Sequence, residues 1–295
     1  MRYSGESYAF LFDKPTGEIQ ESAFELLRHE NVIGYRTKTI KSGSIVECEI
    51  YPIWKTGQIR KAKEATTREA QKNLNEKNAK KHLIRKINAN FTEKDLCITL
   101  TYKGSVPDEK EAQKDIQNYI RRVKAYRKKN GMDEMKYIYV IEYENGEGEK
   151  KKKRIHHHII MSGMDREEAE RIWQKGYANT RRLQPDEYGL EALARYIVKD
   201  PQGKKRWSAS RNLKEPKITV SDTKFSKRKA ERLAKDFEAE GRKIFEKLFP
   251  ACQFNDCTIS RSDFVAGAYI YARMKEDPEK AKKIAAERKR KRVKG

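Results

Sequence analysis

The feature that most constrains the fold is an alternation of strand and helix patterns in the middle of the chain. Four segments have the composition or the period-two alternation that is typical of β-strands: Leu96–Tyr102, Lys136–Glu144, Arg154–Ser162 and Tyr177–Arg181. Helix patterns separate or follow them around 116–123, over 165–176 and over 187–199. The order β-α-β-β-α-β-α predicts an α+β fold, with an antiparallel central sheet and helices on one face in a ferredoxin-like, split β-α-β arrangement.

Smaller α/β extensions are predicted on both sides of this central region. A turn at Lys41-Ser42-Gly43 between two β-rich segments indicates a hairpin, and a long apolar stripe from Ala230 to Leu248 indicates one helix. The predicted organisation is a hairpin and a basic helix over 1–88, a central domain over 89–215, a helix and strands over 216–279, and a basic tail over 280–295.

The charge and the apolar content of the chain narrow the classes of protein to which it can belong. The chain of 295 residues has 67 Lys and Arg against 44 Asp and Glu, a net charge of +23, which predicts a polyanionic partner because basic side chains release counterions from phosphates. No apolar run approaches the roughly 18 residues of a membrane span, and the start of the chain lacks a signal-peptide core. The four cysteines are scattered, so we expect reduced thiols in a soluble intracellular protein.

Three consecutive histidines, His156, His157 and His158, lie in the third central strand segment. Because side chains alternate along a strand, His157 belongs to the apolar face, and the other two point together to the opposite face. A hairpin centred near residue 149 would place Glu142 opposite His156 on that same face. One carboxylate and two imidazoles predict a site for a single divalent metal ion.

The residues around this cluster leave its chemistry open. Imidazoles suit zinc, whereas a carboxylate and a phosphate substrate favour Mg²⁺ or Mn²⁺. Alternatively, His156 and His158 are ordinary hydrogen-bonded surface residues. The basic run Lys150–Lys153 with Arg154 would attract phosphate to the mouth of the site, or form a plain solvated loop.

Tyr196 is the candidate nucleophile on the last helix pattern of the central region. At about 100° per residue it lies at the edge of an apolar stripe, so the core can anchor the ring while the hydroxyl faces outward. A phenol has a pKa near 10 and needs a nearby cation to act as a nucleophile at neutral pH. Lys199, about one turn further on, or a divalent metal could supply that cation. The same spacing also occurs in ordinary helix packing.

Three motifs in this order resemble those of the HUH endonucleases, specifically the rolling-circle replication initiator (Rep) proteins of Gram-positive phages and mobile elements. They are Ile98-Thr99-Leu100-Thr101-Tyr102, His156-His157-His158 with Glu142 on the preceding strand, and Tyr196-Ile197-Val198-Lys199. The basic stretch from Lys204 to Leu213 resembles the segment that follows the family's tyrosine. The chain departs from the family at His157, where a bulky apolar residue is usual.

The resemblance implies a single-tyrosine enzyme in which Tyr196 attacks a phosphodiester of single-stranded DNA. The products would be a 5′-phosphotyrosine and a free 3′-hydroxyl that primes replication. In this interpretation Lys199 orients the phosphate, and Mg²⁺ or Mn²⁺ polarises it. The residues implied in binding the ion are Glu142, His156 and His158. The basic residues expected to bind DNA are Lys150, Lys151, Lys152, Lys153, Arg154, Lys204, Lys205 and Arg206.

The implied partners are single-stranded DNA at a replication-origin hairpin and the helicase and polymerase of a bacterial host, in whose cytoplasm the protein would act. No phosphate-binding loop of the G-x-x-x-x-G-K-[ST] type occurs, so the helicase would be borrowed. A relaxase or a single-tyrosine transposase would use the same chemistry. A third alternative is a non-catalytic binder of single-stranded nucleic acid that uses Tyr102, Tyr139 and Tyr143.

Overall fold

The computed structural model of the chain describes residues 32–54, 69–144, 154–197, 207–261 and 267–293. The described elements, in chain order, are β1 (Val32–Ser42), β2 (Ile45–Trp54), α1 (Glu69–Asn90), β3 (Leu96–Thr101), α2 (Glu109–Lys129), β4 (Tyr137–Glu144), β5 (Arg154–Met161), α3 (Arg166–Arg171), β6 (Ala178–Arg182), α4 (Glu191–Ile197), β7 (Ser208–Ala209), β8 (Lys217–Ser221), α5 (Lys227–Lys235), a π-helical turn (Phe237–Gly241), α6 (Arg242–Leu248), β9 (Cys252–Arg261), β10 (Ala268–Glu276) and α7 (Pro278–Val293). None of these helices is long and apolar enough to cross a bilayer.

The described residues form two compact units. One unit comprises the described residues up to Arg85, the short segment Glu187–Gly189 and the described residues from Pro216 onward. The other comprises Lys86–Asp186 and Leu190–Glu215 in its described parts, and we call it the central unit.

The central unit contains an antiparallel sheet of five strands in the order β6-β3-β5-β4-β7. The predicted α+β class and the order β-α-β-β-α-β-α from β3 to α4 are both confirmed. Helices α2 and α3 pack on one sheet face, because their apolar stripes meet the even-numbered side chains of β3 and the odd-numbered side chains of β5. The core residues from these elements are Leu96, Ile98, Leu100, Ile116, Tyr119, Ile120, Val123, Ile159, Met161 and Ala169.

Helix α4 departs from the prediction that the helices share one face. Its Tyr196 ring contacts the ring of His158, whose side chain points away from α2 and α3. On this second face Ile138 and Ile160 are a cross-strand pair, and both are buried. A sheet with buried apolar side chains on both faces requires cover on both faces, so helices on one face alone would not suffice.

Local signals explain the ends of the elements in this unit. Asp165 caps α3 as predicted, because its side chain accepts a hydrogen bond of 2.9 Å from the backbone N–H of Glu168. The helix ends at Arg171, before the predicted end at Gly176. The predicted helix over 187–199 is seen as Glu191–Ile197, and its last two residues lie outside the described part of the chain.

The other unit has an antiparallel sheet of five strands in the order β8-β1-β2-β10-β9. The predicted hairpin is confirmed as the pair β1–β2, in which Gly43 has φ 61°, a conformation that favours glycine. The single helix predicted from Ala230 to Leu248 is interrupted by the π-helical turn. Within this turn Gly241 lies so close to the ring of Phe237 that a larger side chain would overlap it. The segment predicted as a basic tail is helical in α7 as far as Val293.

Candidate metal and nucleophile site

Strand pairing brings the acid and the histidines together. In the register of β4 with β5, Glu142 lies opposite His156, which confirms the pairing predicted from the hairpin. On the other side of β5, strand β3 places Thr99 opposite His158 and Thr101 opposite His156. Cross-strand partners project from the same face of a sheet, so all five side chains lie on one face.

The three predicted ligands form a compact donor cluster. One oxygen of Glu142 and one ring nitrogen each of His156 and His158 all lie within 4.8 Å of one another. The closest recorded contact joins Nε2 of His158 to Oε2 of Glu142 at 2.8 Å. His158 is 4% exposed, whereas the other two side chains are partly buried.

This donor set fits a divalent cation. Ligand atoms bound at about 2.1 Å to one ion lie at most about 4.2 Å apart, so side-chain shifts of less than about 1 Å would satisfy such an ion. Three protein ligands also leave coordination positions for a substrate oxygen. The mixture of one carboxylate and two imidazoles is compatible with Mn²⁺, Mg²⁺ or Zn²⁺, and the geometry does not select among them.

Thr99 is a residue of this site that sequence analysis missed. Its hydroxyl oxygen lies 3.3 Å from Nδ1 of His158, the ring nitrogen on the side away from Glu142. An outer partner of this kind fixes the orientation of a ligand imidazole. The signal was present in the sequence, because strand alternation in Ile98-Thr99-Leu100 sends the threonine to the face opposite the core.

His157 occupies the opposite face and explains how this chain accommodates a polar residue at a usually apolar position. The side chain is fully buried, and its Nε2 and the hydroxyl of Tyr102 are hydrogen-bonded at 2.9 Å. Its ring lies edge-on to Tyr102 and to Trp173, with centroid distances of 5.6 and 5.5 Å. Burial, with smaller contributions from His158 and His156, lowers the pKa of His157 to about 3, so the ring is neutral at physiological pH.

We expect His157→Ala to lower the free energy of unfolding by about 2–4 kcal/mol, because it opens a cavity between Tyr102 and Trp173 and removes a buried hydrogen bond. Urea unfolding followed by circular dichroism measures this change. Asn179→Ala, at an exposed position of the same sheet, is the control and should change the value by less than about 0.5 kcal/mol. Equal stability of His157→Ala and the wild type would contradict the anchoring role.

Tyr196 lies next to the donor cluster. Its ring centroid is 5.8 Å from that of His158, at an interplanar angle of 79°, and the side chain is 45% exposed. The start of α4 is held by the backbone N–H of Leu190, which donates to the side-chain oxygen of Asn88 at 2.7 Å. An ion pair of 2.6 Å between Glu191 and Arg195 spans one turn of the same helix.

Most of the other predicted site residues belong to segments outside the described part of the chain. Lys199 is one of them. The predicted DNA-binding residues outside the described part are Lys150, Lys151, Lys152, Lys153, Lys204, Lys205 and Arg206. The exception, Arg154, is the first residue of β5. Their roles stay predictions.

Comparison with known families adds an independent finding. Residues 95–201 match a family of proteins described as replication-associated. The matched segment is about a third of the chain and contains β3 through α4, the donor cluster and Tyr196. This match is consistent with a Rep-type replication initiator and associates the central unit with replication. No curated protein and no solved structure gives a significant match to the chain.

Proposed function

We propose that this protein initiates rolling-circle replication by nicking and rejoining single-stranded DNA, with Tyr196 as the nucleophile. The observation that carries the proposal is the contact of the Tyr196 ring with His158, a member of the Glu142, His156 and His158 cluster. A candidate nucleophile and a candidate cation site thus adjoin each other on one face of a sheet, within a segment that matches a replication-associated family.

The reaction is a transesterification. The phenol oxygen of Tyr196 forms a bond to the scissile phosphorus and gives up its proton, and the bond from phosphorus to the 3′ oxygen of the preceding nucleotide breaks. That oxygen takes up a proton and leaves as a 3′-hydroxyl, while the 5′ end stays attached as a phosphotyrosine. One phosphoester replaces another, so a later 3′-hydroxyl can reverse the step and rejoin the strand.

The residues of the chain prepare the site before DNA arrives. Thr99 and Glu142 hold the two nitrogens of His158, and the contact of this ring with Tyr196 sets the position of the phenol. A divalent cation, Mg²⁺ or Mn²⁺, bound by the three ligands would withdraw charge from the phosphate. Lys199 is proposed as a further phosphate contact on the same helix pattern.

The wider roles follow from the same proposal. The substrate would be single-stranded DNA exposed at an origin hairpin, with Lys150–Lys153, Arg154 and Lys204–Arg206 as backbone contacts. The free 3′-hydroxyl would be extended by a polymerase of a bacterial host after unwinding by a host helicase, in the cytoplasm. The HUH class and the Gram-positive type belong to this proposal as well.

The non-catalytic alternative loses support from the packing of its aromatic residues. Tyr139 is part of the hydrophobic core and is 7% exposed, and Tyr102 packs against that core with its hydroxyl engaged by His157. Base stacking requires an accessible ring face, which the buried ring of Tyr139 lacks, and the hydroxyl of Tyr102 is already engaged within the protein.

The proposal predicts a covalent protein–DNA adduct. Purified protein is incubated with Mn²⁺ and labelled single-stranded oligonucleotides that tile the hairpins of the replicon carrying its gene, and the products are run on a denaturing gel. We expect a band retarded by the mass of the protein and a released fragment with a 3′-hydroxyl, both absent when EDTA is added. A relaxase would instead cut at a transfer origin, and a transposase would require paired element ends. Binding without any adduct on all of these substrates would contradict the proposal.

A further inference from the structure

Three exposed side chains, two on the edge strand β6 and one on the residue just before it, lie on the face of the donor cluster. Asn179 and Arg181 are cross-strand partners of β3 residues, and Tyr177 exchanges two backbone hydrogen bonds with Thr101, of 2.8 and 3.1 Å. The β3 partners of Tyr177, Asn179 and Arg181 are Thr101, Thr99 and Cys97, respectively. We call these three residues the β6 strip.

Strand order sets the distance from the β6 strip to the cluster. Strand β3 lies between β6 and β5, so Thr101 separates Tyr177 from His156, and Thr99 separates Asn179 from His158. Neighbouring strands are about 4.8 Å apart, which places the strip about 10 Å from the histidines. At the stacked spacing of about 3.4 Å per nucleotide, a few nucleotides of a single strand cover this distance.

The chemistry of the β6 strip suits a single strand of nucleic acid. Tyr177 is 65% exposed, the highest value among the exposed large apolar side chains of the described residues. Arg181 is exposed as well, and its Nε donates to the side-chain oxygen of Asn179 at 3.2 Å, which orients the guanidinium. An accessible aromatic ring next to a guanidinium is the combination with which proteins stack bases and neutralise phosphates.

The backbone at Tyr177 is held in place by its contacts with β3. Gly176 lies so close to the backbone of Thr101–Lys103 that a Cβ atom would be 2.3 Å from the carbonyl oxygen of Thr101. The indole N–H of Trp173 donates to that same oxygen at 2.8 Å. The loop before β6 is therefore fastened to β3, so only the rotation of the Tyr177 side chain has to be fixed when its ring stacks on a base.

We propose that Tyr177, Asn179 and Arg181 form a binding subsite for single-stranded DNA beside the scissile phosphate. Tyr177 stacks on a base, and Arg181, oriented by Asn179, binds a backbone phosphate. The location beside a scissile phosphate rests on the proposed function, whereas the binding of a single strand does not.

The test measures affinity without cleavage. Fluorescence anisotropy gives the Kd of the full chain for a 20-nucleotide oligothymidylate, in EDTA and over a series of NaCl concentrations. We expect Tyr177→Ala to raise the Kd about 10-fold, and Tyr177→Phe to stay near the wild-type value because the ring is retained. Arg181→Ala should raise the Kd and reduce the slope of log Kd against log salt by about 0.7, the value for one phosphate contact on a single strand.

Arg171→Ala is the matched control. Arg171 is an exposed arginine on α3, the helix that packs on the opposite face of the sheet, and it pairs with Glu168 at 2.6 Å. Its loss should leave both the Kd and the salt slope unchanged. Far-ultraviolet circular dichroism checks that each variant is folded. In addition, an oligonucleotide containing 5-iodouracil should crosslink to Tyr177 of the wild type on irradiation.

The two proposals fail in different ways. Wild-type affinity and salt slope in both Tyr177→Ala and Arg181→Ala, or equal weakening by Arg171→Ala, would overturn the subsite even if the protein nicks DNA. Weakened binding in the strip variants, together with no adduct on any origin substrate, would leave the subsite standing and overturn the proposed function.

Discussion

Replacing both His156 and His158 by alanine is expected to lower the rate of DNA nicking at least about 100-fold, while the Kd for single-stranded DNA stays within about twofold of the wild type. The reason is that the variant keeps Tyr196 and the basic residues but loses two of the three donor atoms of the cluster. Initial cleavage rates over a series of Mn²⁺ concentrations measure the first effect. Electron paramagnetic resonance of free Mn²⁺ measures ion binding without reference to activity.

Thr99→Val separates ion binding from folding, because it keeps the shape of the side chain and removes only the hydroxyl that lies 3.3 Å from His158. We expect this variant to bind Mn²⁺ about 10- to 100-fold more weakly and to recover nicking at higher Mn²⁺ concentration.

Metal-dependent nicking at the wild-type rate in the double histidine variant would show that the ligand assignment is wrong.

Tyr196→Phe is expected to abolish the covalent adduct and to reduce cleavage at least about a thousand-fold, because the substitution removes the attacking oxygen and nothing else. The ring that contacts His158 is retained, and the side chain is 45% exposed, so stability should change by less than about 0.5 kcal/mol. Denaturing gels of labelled oligonucleotides and thermal unfolding measure the two quantities.

Tyr102→Phe is the matched control for the nucleophile. Tyr102 is also a tyrosine of the three-motif segment, but its hydroxyl contacts His157 on the core face of the sheet. This variant should still form the adduct, with a loss of stability of about 1 kcal/mol for the broken hydrogen bond. An adduct that persists in Tyr196→Phe and disappears in Tyr102→Phe would contradict the assignment and make Tyr102 the nucleophile.

In the central unit, the pairing of the strands and the sheet face of each side chain could be predicted, because side chains alternate between the two faces along a strand. Once a hairpin centre near residue 149 was assumed, the pairing of Glu142 with His156 followed, and the structure has that register. The same alternation assigned His157 to the apolar face, where it is fully buried. These predictions required only local periodicity and one turn.

Other features depended on contacts that local periodicity does not specify. Helix α4 lies next to the second sheet face, where its Tyr196 contacts His158. That Ile138 and Ile160 make this face apolar as well appears only after the strands are paired. The apolar stripe from Ala230 to Leu248 gave no sign of the π-helical turn, which accompanies a close approach of Phe237 to Gly241. The predicted interplay of Lys199 with Tyr196 stays a prediction.

The most direct test of the account is to identify the amino acid that becomes linked to DNA. The adduct formed by the wild type with a cleavable oligonucleotide and Mn²⁺ is digested with trypsin and nuclease, and the modified peptide is sequenced by tandem mass spectrometry. The account predicts one modified peptide, with a 5′-nucleotide attached to the phenol oxygen of Tyr196. Attachment to any other residue, or cleavage that leaves free 5′-phosphate ends and no modified peptide, would contradict it.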